Sequence, residues 1–239
     1  MRRKTSEVIV QMTTLALLSA LGFVLMSFVR FPYPIAPWLM IEFSDLVVLI
    51  GYAMYGFTGG FTVSILKTLL DFAIHGIVGP FGIGNITALI TSLTFTFCLF
   101  LSAKVFHLFN KGWKMRIVGY VSIILLEAFI LTFLNILFIT PTFITGRFTT
   151  CFDSEAVAAV IEGMKQYISG FSYFGLVFIV YFPFNLLKGV ISCLLYELVF
   201  NRLLFVFMQR SPRIQKYFVS ANFMKHSSQN KVTENNNGE

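Results

Sequence analysis

The sequence predicts an all-α membrane protein with six transmembrane helices. Apolar residues make up 56% of the 239-residue chain and charged residues only 12%, whereas soluble domains carry about 25% charged residues. Six apolar segments follow one another along the chain, and a helix needs about 20 such residues to cross a hydrocarbon core about 30 Å thick. These observations exclude a soluble globular class.

The predicted spans are, in chain order, 8–29, 43–57, 60–77, 83–106, 117–140 and 173–207. The first is longer than the apolar core of about 7–15 residues found in signal peptides, so we expect a retained helix. The second and third are short, and the glycines between them predict a tight turn: Gly56, Gly59 and Gly60. The last exceeds one span, and we expect it to end near Phe200, with an amphipathic piece continuing to Met208.

The spans define one transmembrane domain over 1–210, followed by a polar tail over 211–239 whose composition predicts disorder. Lysine and arginine concentrate in the segments that flank one side of the spans, which is typical of the cytoplasmic side. The opposite side carries Arg30, Arg147 and Lys165. We therefore expect both termini to be cytoplasmic in a multi-pass protein of the cell membrane. The charge of +7 forms no basic stripe, so no nucleic-acid partner is predicted.

The loops on the outer side are more elaborate than the inner ones. In 30–44, three prolines predict a stiff, non-helical connection: Pro32, Pro34 and Pro37. The glycine-rich segment 75–84 lacks the strand–helix setting of a dinucleotide site, which favours a loop packed on a ligand or a helix. The loop 141–172 contains a polar stretch at 153–166 that is compatible with a surface helix. This arrangement suits capture of a ligand from outside.

Ionisable residues within the apolar spans are candidates for function, because a charge inside a bilayer is costly. They are Glu42, Asp45, Lys67, Asp71, His75, Glu127, Lys188 and Glu197. Four of them lie near outer helix ends and could equally be interfacial: Glu42, Asp45, Asp71 and His75. Glu127 and Glu197 could pair with a lysine or a backbone donor between helices. For Lys67, pairing with Asp71 along one helix face and contact with a substrate are both open.

Polar groups on the outer halves of the fifth and sixth spans predict a pocket. Asn185 and Lys188 share a helix face beside Pro183, which frees a backbone carbonyl. Asn135 lies toward the outer half of the fifth span. Because an amide both donates and accepts hydrogen bonds, these groups suit an uncharged polar heterocycle better than an ion. The competing interpretation is hydrogen bonding between helices.

No catalytic or cofactor-binding motif accompanies these groups. The sequence contains no G-x-x-x-x-G-K-[ST] loop, no H-E-x-x-H, no G-x-S-x-G and no Cys/His cluster. Its three cysteines have no paired spacing, which predicts neither a disulfide framework nor a metal site. We therefore expect a chain that is not an enzyme and that holds no cofactor.

The most specific segments are Phe31-Pro-Tyr-Pro34, Leu39-Met-Ile-Glu-Phe-Ser-Asp45, and Gly79-Pro-Phe-Gly82 with Asn85. They resemble the proline-rich first loop, the (D/E)-F-S-D entry to the second helix and the GPxG…N turn of one family. That family is the substrate-binding S-components of energy-coupling factor (ECF) vitamin transporters, and the riboflavin-specific type is the most similar. Ala16 and Ala20 match the AxxxA motif with which S-components dock on a transmembrane coupling subunit.

The resemblance implies a substrate site and a set of partners. The implied site residues are Leu39, Met40, Glu42, Phe43, Lys67, Asn85, Asn135, Asn185 and Lys188. The implied partners are a water-soluble vitamin, with riboflavin favoured, a transmembrane coupling subunit and two ATPase subunits. The insertion around 145–170 and Glu42 in place of a more usual Asp depart from the pattern, which leaves another vitamin such as pantothenate as an alternative.

The alternatives differ in what they need from the sequence. Riboflavin needs stacking aromatic residues such as Trp38, Phe43 or Tyr173. An anionic vitamin needs a counter-charge from Lys188, Lys67 or Arg147. Outside the transporter class, a membrane-embedded enzyme needs a paired nucleophile and base, which the sequence does not offer, and a structural membrane subunit needs no ligand pocket.

Overall fold

The computed structural model describes residues 5–106, 113–165, 167–168 and 170–200. Its elements are α1 (Thr5–Phe28), β1 (Arg30–Tyr33), β2 (Ala36–Glu42), α2 (Ser44–Tyr55), α3 (Phe57–His75), α4 (Ile83–Phe106), α5 (Trp113–Leu134), α6 (Thr140–Thr145), α7 (Ser154–Met164) and α8 (Tyr173–Leu195). Short turns adjoin three of the helices: a 3-10 turn at Pro80–Gly82 before α4, and π-helical turns at Asn135–Ile139 after α5 and at Tyr196–Phe200 after α8. The described chain is mostly helical, as the sequence predicts.

Five helical segments are long and apolar enough to cross a membrane: Val8–Phe28, Phe57–His75, Pro80–Val105, Lys114–Thr145 and Tyr173–Leu198. The remaining predicted span corresponds to α2, which has 12 residues. At 1.5 Å per residue, α2 rises about 18 Å, short of a hydrocarbon core about 30 Å thick. Five of the six predicted spans therefore have the length of a crossing helix, and α2 does not on its own.

α2 lies inside the helical bundle. Val47, Val48 and Leu49 are completely buried, and α2 packs against α1, α3, α4 and α8. A helix that is apolar on all sides is stable when it is surrounded, and here protein surrounds it. Because its neighbours cover it, α2 does not have to match the thickness of a membrane.

The loop 30–44, predicted to lie on the outer side, is a β-hairpin, which the all-α prediction missed. Strands β1 and β2 are antiparallel, with Phe31 opposite Ile41 and Pro32 opposite Met40. A two-stranded sheet consists of edge strands, where a proline without an N–H group is tolerated. The loop is non-helical, as predicted, and its prolines do not prevent the strands from pairing.

The connection between α2 and α3 is the predicted tight turn. Gly56 has a φ angle of 68°, which glycine adopts without the steric cost that a side chain brings. Its N–H donates to the carbonyl of Tyr52 at 2.7 Å. Beyond the turn the two helices approach closely, because a Cβ placed on Gly59 would lie 2.1 Å from the carbonyl oxygen of Gly51.

Helix α7 forms within the polar stretch 153–166, where the sequence is compatible with a surface helix. Asp153 caps its first turn by accepting hydrogen bonds from the backbone N–H groups of Glu155 (3.0 Å) and Ala156 (3.4 Å). The hydroxyl of Thr149 also donates to Asp153, at 2.9 Å. The hydrogen bonds from Thr149 and from these N–H groups lower the pKa of Asp153, so the cap is ionised at neutral pH.

The buried face of α7 joins the hairpin to α8. Tyr33 of β1, Val160 of α7 and Tyr173 of α8 belong to one apolar cluster. Just beyond α7, the ring of Tyr167 lies edge-on to that of Trp38 in β2, with 4.9 Å between ring centroids. The hairpin is therefore held by the segment that follows α6 as well as by the long helices.

Several predictions fall outside the described residues. They concern the amphipathic piece to Met208, the polar tail 211–239 and the basic residues at the start of the chain. The cytoplasmic location of both termini and the domain boundary at residue 210 therefore stay predictions.

Candidate functional site

A buried ionic cluster lies where the start of α2 meets α3 and α8. The carboxylate of Asp45 contacts two ammonium groups, Lys67 Nζ at 3.3 Å and Lys188 Nζ at 2.9 Å. Lys188 also pairs with Glu42, the last residue of β2, with 3.1 Å between Nζ and Oε1. A charged contact thus ties the hairpin to α8.

Two serine hydroxyls support this cluster. Ser92 of α4 donates to Asp45 Oδ1 at 3.0 Å, and Lys67 donates to the hydroxyl of Ser44. Buried charges are tolerated when they are paired and hydrogen-bonded, and Asp45 and Lys67 meet both conditions. Ser44 belongs to the motif at the entry to α2, whereas nothing in the sequence distinguishes Ser92 from other serines in apolar helices.

The predicted alternative that pairs Lys67 with Asp71 is wrong. Asp71 bonds His75, with 2.8 Å between Oδ1 and Nδ1, and accepts a hydrogen bond from Asn85 at 3.1 Å. Helical side chains lean toward the N-terminus of their helix, so Lys67 extends away from a residue four positions later, which is the less favourable order for such a pair. Asp45 on the neighbouring helix is its partner instead.

The exposed fraction of the side chains in the ionic cluster decreases from Glu42 to Lys67. Glu42 is 13% exposed, Lys188 8%, Asp45 1% and Lys67 0%. The interfacial interpretation is therefore wrong for Asp45, which protein encloses. Glu42 and Lys188 are the least buried members of the cluster.

The candidate residue Glu197 has partners on α5. Glu197 pairs with Arg116 Nη1 and accepts a hydrogen bond from the hydroxyl of Tyr120, both at 2.9 Å. Within the described part of the chain, no group of three or more His, Cys, Asp or Glu side chains is arranged to hold a metal ion.

Asn185 and Asn135 lie on α8 and on the π-helical turn after α5. Asn185 donates to the hydroxyl of Thr132 on α5 at 3.4 Å. Asn135 donates to a backbone carbonyl one turn earlier at 2.8 Å and accepts from Thr140 at 3.3 Å. The hydrogen bond between helices, offered as the competing interpretation, is thus present for Asn185. Asn185 nonetheless shares its buried helix face with Lys188.

Three predicted site residues in or next to the hairpin have different surroundings: Leu39, Met40 and Phe43. Leu39 is partly buried against the cluster formed by the hairpin, α7 and α8, whereas Met40 is exposed. Phe43 packs edge-on against Phe31, with 6.1 Å between ring centroids. The described contacts place Leu39 and Phe43, but not Met40, against protein.

Asn85 takes part in a different contact. Its Oδ1 accepts from the backbone N–H of Val78 at 2.8 Å, and its Nδ2 donates to Asp71 at 3.1 Å. Both ends of the amide thus hold the loop between α3 and α4 against α3. None of these contacts reaches Lys188.

Aromatic residues on α8 extend the face that carries Lys188. Tyr33 of the hairpin packs edge-on against Phe184, with 5.4 Å between ring centroids, and Tyr181 is buried beside Trp38. Sequence reasoning missed Tyr181 and Phe184. Their spacing of seven and four residues from Lys188 was the available signal, because residues so spaced share one helix face.

Ala16 and Ala20 lie on the exposed side of α1. Leu15 and Ser19, next to them in the sequence, are buried on the opposite side. The small-residue face of α1 is therefore open in the described structure.

Long apolar helices around a buried ionic cluster, with a hairpin bound to that cluster, define a helical membrane protein with an internal polar site. The family described as "ECF transporter, substrate-specific component" has a sequence model that matches residues 10–200. The chain belongs to this family, which confirms the predicted resemblance.

Two named transporters are similar over most of their length. The riboflavin transporter FmnP of Bacillus subtilis (strain 168) is 26% identical over 210 residues, which cover 85% of this chain and 97% of the relative. The riboflavin transporter RibU of Staphylococcus aureus (strain TCH60) is 27% identical over 196 residues, which cover 81% of this chain and 89% of the relative. These relatives are transport proteins rather than enzymes.

A solved structure gives the same fold. It is described as "Structure and mechanism of the S component of a bacterial ECF transporter", and it aligns with a TM-score of 0.57 at 23% identity. The alignment covers 82% of this chain and 96% of that chain. The helical arrangement described above is therefore that of an S component.

Proposed function

We propose that this chain is the riboflavin-binding subunit of an ECF transporter in the cell membrane. It captures riboflavin from outside and releases it inward when it is coupled to a shared ATP-driven module. The family supports the role in substrate capture. The two relatives named as riboflavin transporters, which align along most of this chain, support the vitamin.

The charge balance around Lys188 is the observation that carries this choice of vitamin. An anionic ligand such as pantothenate needs a cation as its counter-charge. Lys67 and Lys188 are already matched by Asp45 and Glu42. An anion bound there would add an unmatched charge to a buried site, which is unfavourable, whereas riboflavin adds none.

Arg147, the third candidate counter-charge, is also engaged. Its guanidinium pairs with Asp153 at 3.2 Å and with Glu155 at 2.8 Å, at the start of α7. The described cations considered for an anionic vitamin therefore each have a carboxylate partner, which supports an uncharged ligand.

Within this site we assign the polar contacts of the ligand to Glu42, Asn185 and Lys188. These side chains combine acceptors and donors on one side of the bundle, which suits the hydroxyl and amide groups of riboflavin. Tyr181 and Phe184, on the same helix face, supply aromatic surface for the ring system.

We assign structural roles around the ligand to other residues of the site. Lys67 holds Asp45 beneath the ligand, and Asn85 anchors the second outer loop. The proposed substrate-binding set also includes Leu39 and Met40 of the hairpin, Phe43 just after it, and the amide of Asn135.

We further propose that the open face of α1 docks on the transmembrane coupling subunit. Small residues such as Ala16 and Ala20 let helix backbones approach closely within a membrane. The sequence has no nucleotide-binding loop of the G-x-x-x-x-G-K-[ST] type. Two ATPase subunits of the proposed complex therefore supply the energy.

The proposed topology has six helices in the membrane, with α2 as a partial span enclosed by the others. Both termini are cytoplasmic, the transmembrane domain occupies 1–210, and 211–239 forms a cytoplasmic tail. The placement of lysine and arginine in the flanking segments supports this orientation.

Quenching of riboflavin fluorescence tests the substrate. The purified protein should quench the emission in a saturable, one-to-one manner, because stacking on aromatic side chains and exclusion of water change the environment of the flavin. An excess of pantothenate should not reverse the quenching. Absence of saturable quenching, or displacement by pantothenate, would contradict the proposal.

A structural membrane subunit without a transport role is the alternative from another class. Uptake of riboflavin by cells that depend on this chain separates the two. Asn135→Ala and Asn185→Ala should each reduce uptake at unchanged protein level in the membrane. Unchanged uptake in both variants would favour the structural role.

A further inference from the structure

Glu127 of α5 is a buried carboxyl group to which the proposed function gives no task. The residue is 2% exposed, and its Oε2 has no hydrogen-bond partner among the described residues. It faces α8 directly after Lys188, because a Cβ placed on Gly189 would lie 3.3 Å from Oε2. Buried polar atoms without a partner are rare in native proteins, and each requires an explanation.

Among the described residues, titratable groups near enough to influence Glu127 electrostatically lie on four helices. They are Asp45 of α2, Lys67 of α3, Cys98 of α4, and Lys188 and Cys193 of α8. Buried thiols of this kind behave as small apolar groups. The charges that Glu127 senses are therefore those of the ionic cluster.

In the described state this cluster is neutral without Glu127. The two ammonium groups of Lys67 and Lys188 are matched by the carboxylates of Asp45 and Glu42. An ionised Glu127 would add an unmatched negative charge, with one oxygen unbonded, in a buried environment. Buried groups in that position neutralise themselves by taking up a proton. By this balance of charges, a proton on Glu127 keeps the site neutral while Glu42 contacts Lys188.

Glu42, in contrast, belongs to the hairpin rather than to one of the long helices. It ends a two-stranded hairpin, and such a hairpin is marginally stable on its own. Under the proposed function, a ligand the size of riboflavin has to pass this hairpin to reach Lys188. When the hairpin withdraws, Glu42 leaves with it, and the two lysines then share the single carboxylate of Asp45.

We propose that Glu127 is the reserve counter-ion of Lys188, which loses its proton when Glu42 withdraws and regains it when Glu42 returns. The O–H bond of the acid breaks, the proton passes to water admitted beneath the open hairpin, and the carboxylate that remains balances Lys188. The site is then neutral in both states. This inference depends on the proposed function at one step, the displacement of the hairpin by a ligand.

Infrared spectroscopy of the full chain without any ligand tests this, because protonated and ionised carboxyl groups absorb at different frequencies. The difference between the wild type and Glu127→Gln should show one buried acid band. The Glu42→Gln substitution removes the charge that the hairpin would withdraw. The difference spectrum between Glu42→Gln and Glu42→Gln/Glu127→Gln should therefore show a carboxylate band instead of the acid band. Glu162→Gln, on the exposed side of α7, is the matched control and should leave the acid band unchanged.

Removal of both charges should reverse the effect. In Glu42→Gln/Lys188→Met no cation lacks a partner, so the acid band of Glu127 should return. If Glu42→Gln does not fold, Glu42→Asp, whose shorter side chain weakens the contact with Lys188, should lower the band partially. A wild type without the band, or a band unchanged in both Glu42 variants, overturns the proposal. Failure of riboflavin to bind would overturn the proposed substrate alone, since these spectra need no ligand.

Discussion

At the scale of single residues, the two lysines of the ionic cluster differ in what they can contact. Lys67 is fully enclosed and bonded to Ser44 and Asp45. Lys188 retains some exposure and reaches Glu42 of the hairpin. The first is placed to hold the site together, and the second is placed to meet the ligand.

Lys188→Met should weaken riboflavin binding by about 10- to 100-fold. A hydrogen bond to a charged group contributes about 1.5–3 kcal/mol, and about 1.4 kcal/mol corresponds to tenfold in affinity. Titration of riboflavin fluorescence measures the change. Equal affinity in the variant and the wild type would show that Lys188 does not contact the ligand.

Lys67→Met should act mainly on stability. It leaves Asp45 with one of its two ammonium partners, and breaking a buried pair costs about 3–5 kcal/mol. The thermal unfolding midpoint in detergent should fall clearly, while the protein that stays folded still binds riboflavin. Unchanged stability with lost binding would instead place Lys67 in contact with the ligand.

The buried polar residues of the site could be recognised in the sequence, whereas their ion-pair partners could not. Charges and amides within apolar spans are visible in a sequence because they are costly there, and Lys67, Asn185 and Lys188 were found in this way. Asp45 as the shared partner was not foreseen. Partner choice depends on where α2 sits relative to α3 and α8, and a neighbour along the same helix, such as Asp71, is only the nearest candidate in sequence.

At the scale of elements, the close approach of α2 and α3 depends on glycine. Gly59→Ala should destabilise the protein by about 1–3 kcal/mol or more, because overpacking forces the backbones apart. Its Cβ would lie 2.1 Å from a carbonyl oxygen that belongs to the facing helix. The thermal unfolding midpoint in detergent measures the effect.

Gly163→Ala is the matched control for that experiment. Atoms near a Cβ at Gly163 lie 3.8 Å away, which is ordinary contact, and alanine has the higher helix propensity of the two residues in this last turn of α7. Its midpoint should be equal or higher. A Gly59→Ala protein as stable as the control would mean that the two helices can separate freely.

The contact between α7 and the hairpin should govern the mobility of the hairpin. Val160→Asp puts an unpaired charge into the apolar cluster that α7 shares with Tyr33 and Tyr173, and it should speed amide hydrogen exchange across Arg30–Glu42. Ala158→Asp, on the exposed side of the same helix, should not. Equal exchange in both variants would show that α7 does not restrain the hairpin.

Helices were more predictable than the hairpin for a physical reason. A membrane-length helix satisfies its own backbone and needs only an apolar sequence of sufficient length, so five spans follow from composition. A hairpin depends on pairing between two segments, and the three prolines in 30–44 concealed strands that pair all the same. α2 appeared as a span because its sequence is apolar, although its neighbours, rather than lipid, surround it.

At the scale of the whole molecule, capture of the ligand and coupling to partners should be separable. Ala16→Leu with Ala20→Leu enlarges the open face of α1 and should prevent close approach of a partner helix. Riboflavin uptake by cells should fall at least tenfold, whereas binding by the isolated chain should not change. Fluorescence titration and uptake assays on the same variant measure the two activities.

Ala73→Leu, an equally exposed substitution on α3, controls for general effects of added bulk on the surface. It should leave both uptake and binding intact. Loss of binding in the double variant on α1, or unimpaired uptake, would contradict the assignment of that face to docking.

The neutrality of the ionic cluster also has an electrical consequence. Moving one elementary charge across a membrane potential of 100 mV involves about 2.3 kcal/mol of work. Two lysines matched by two carboxylates, together with an uncharged vitamin, carry no net charge through that field. In the proposed transport cycle, the membrane potential therefore neither drives nor opposes movement of the site across the membrane. The rate of transport should depend on the ATP concentration rather than on the membrane potential.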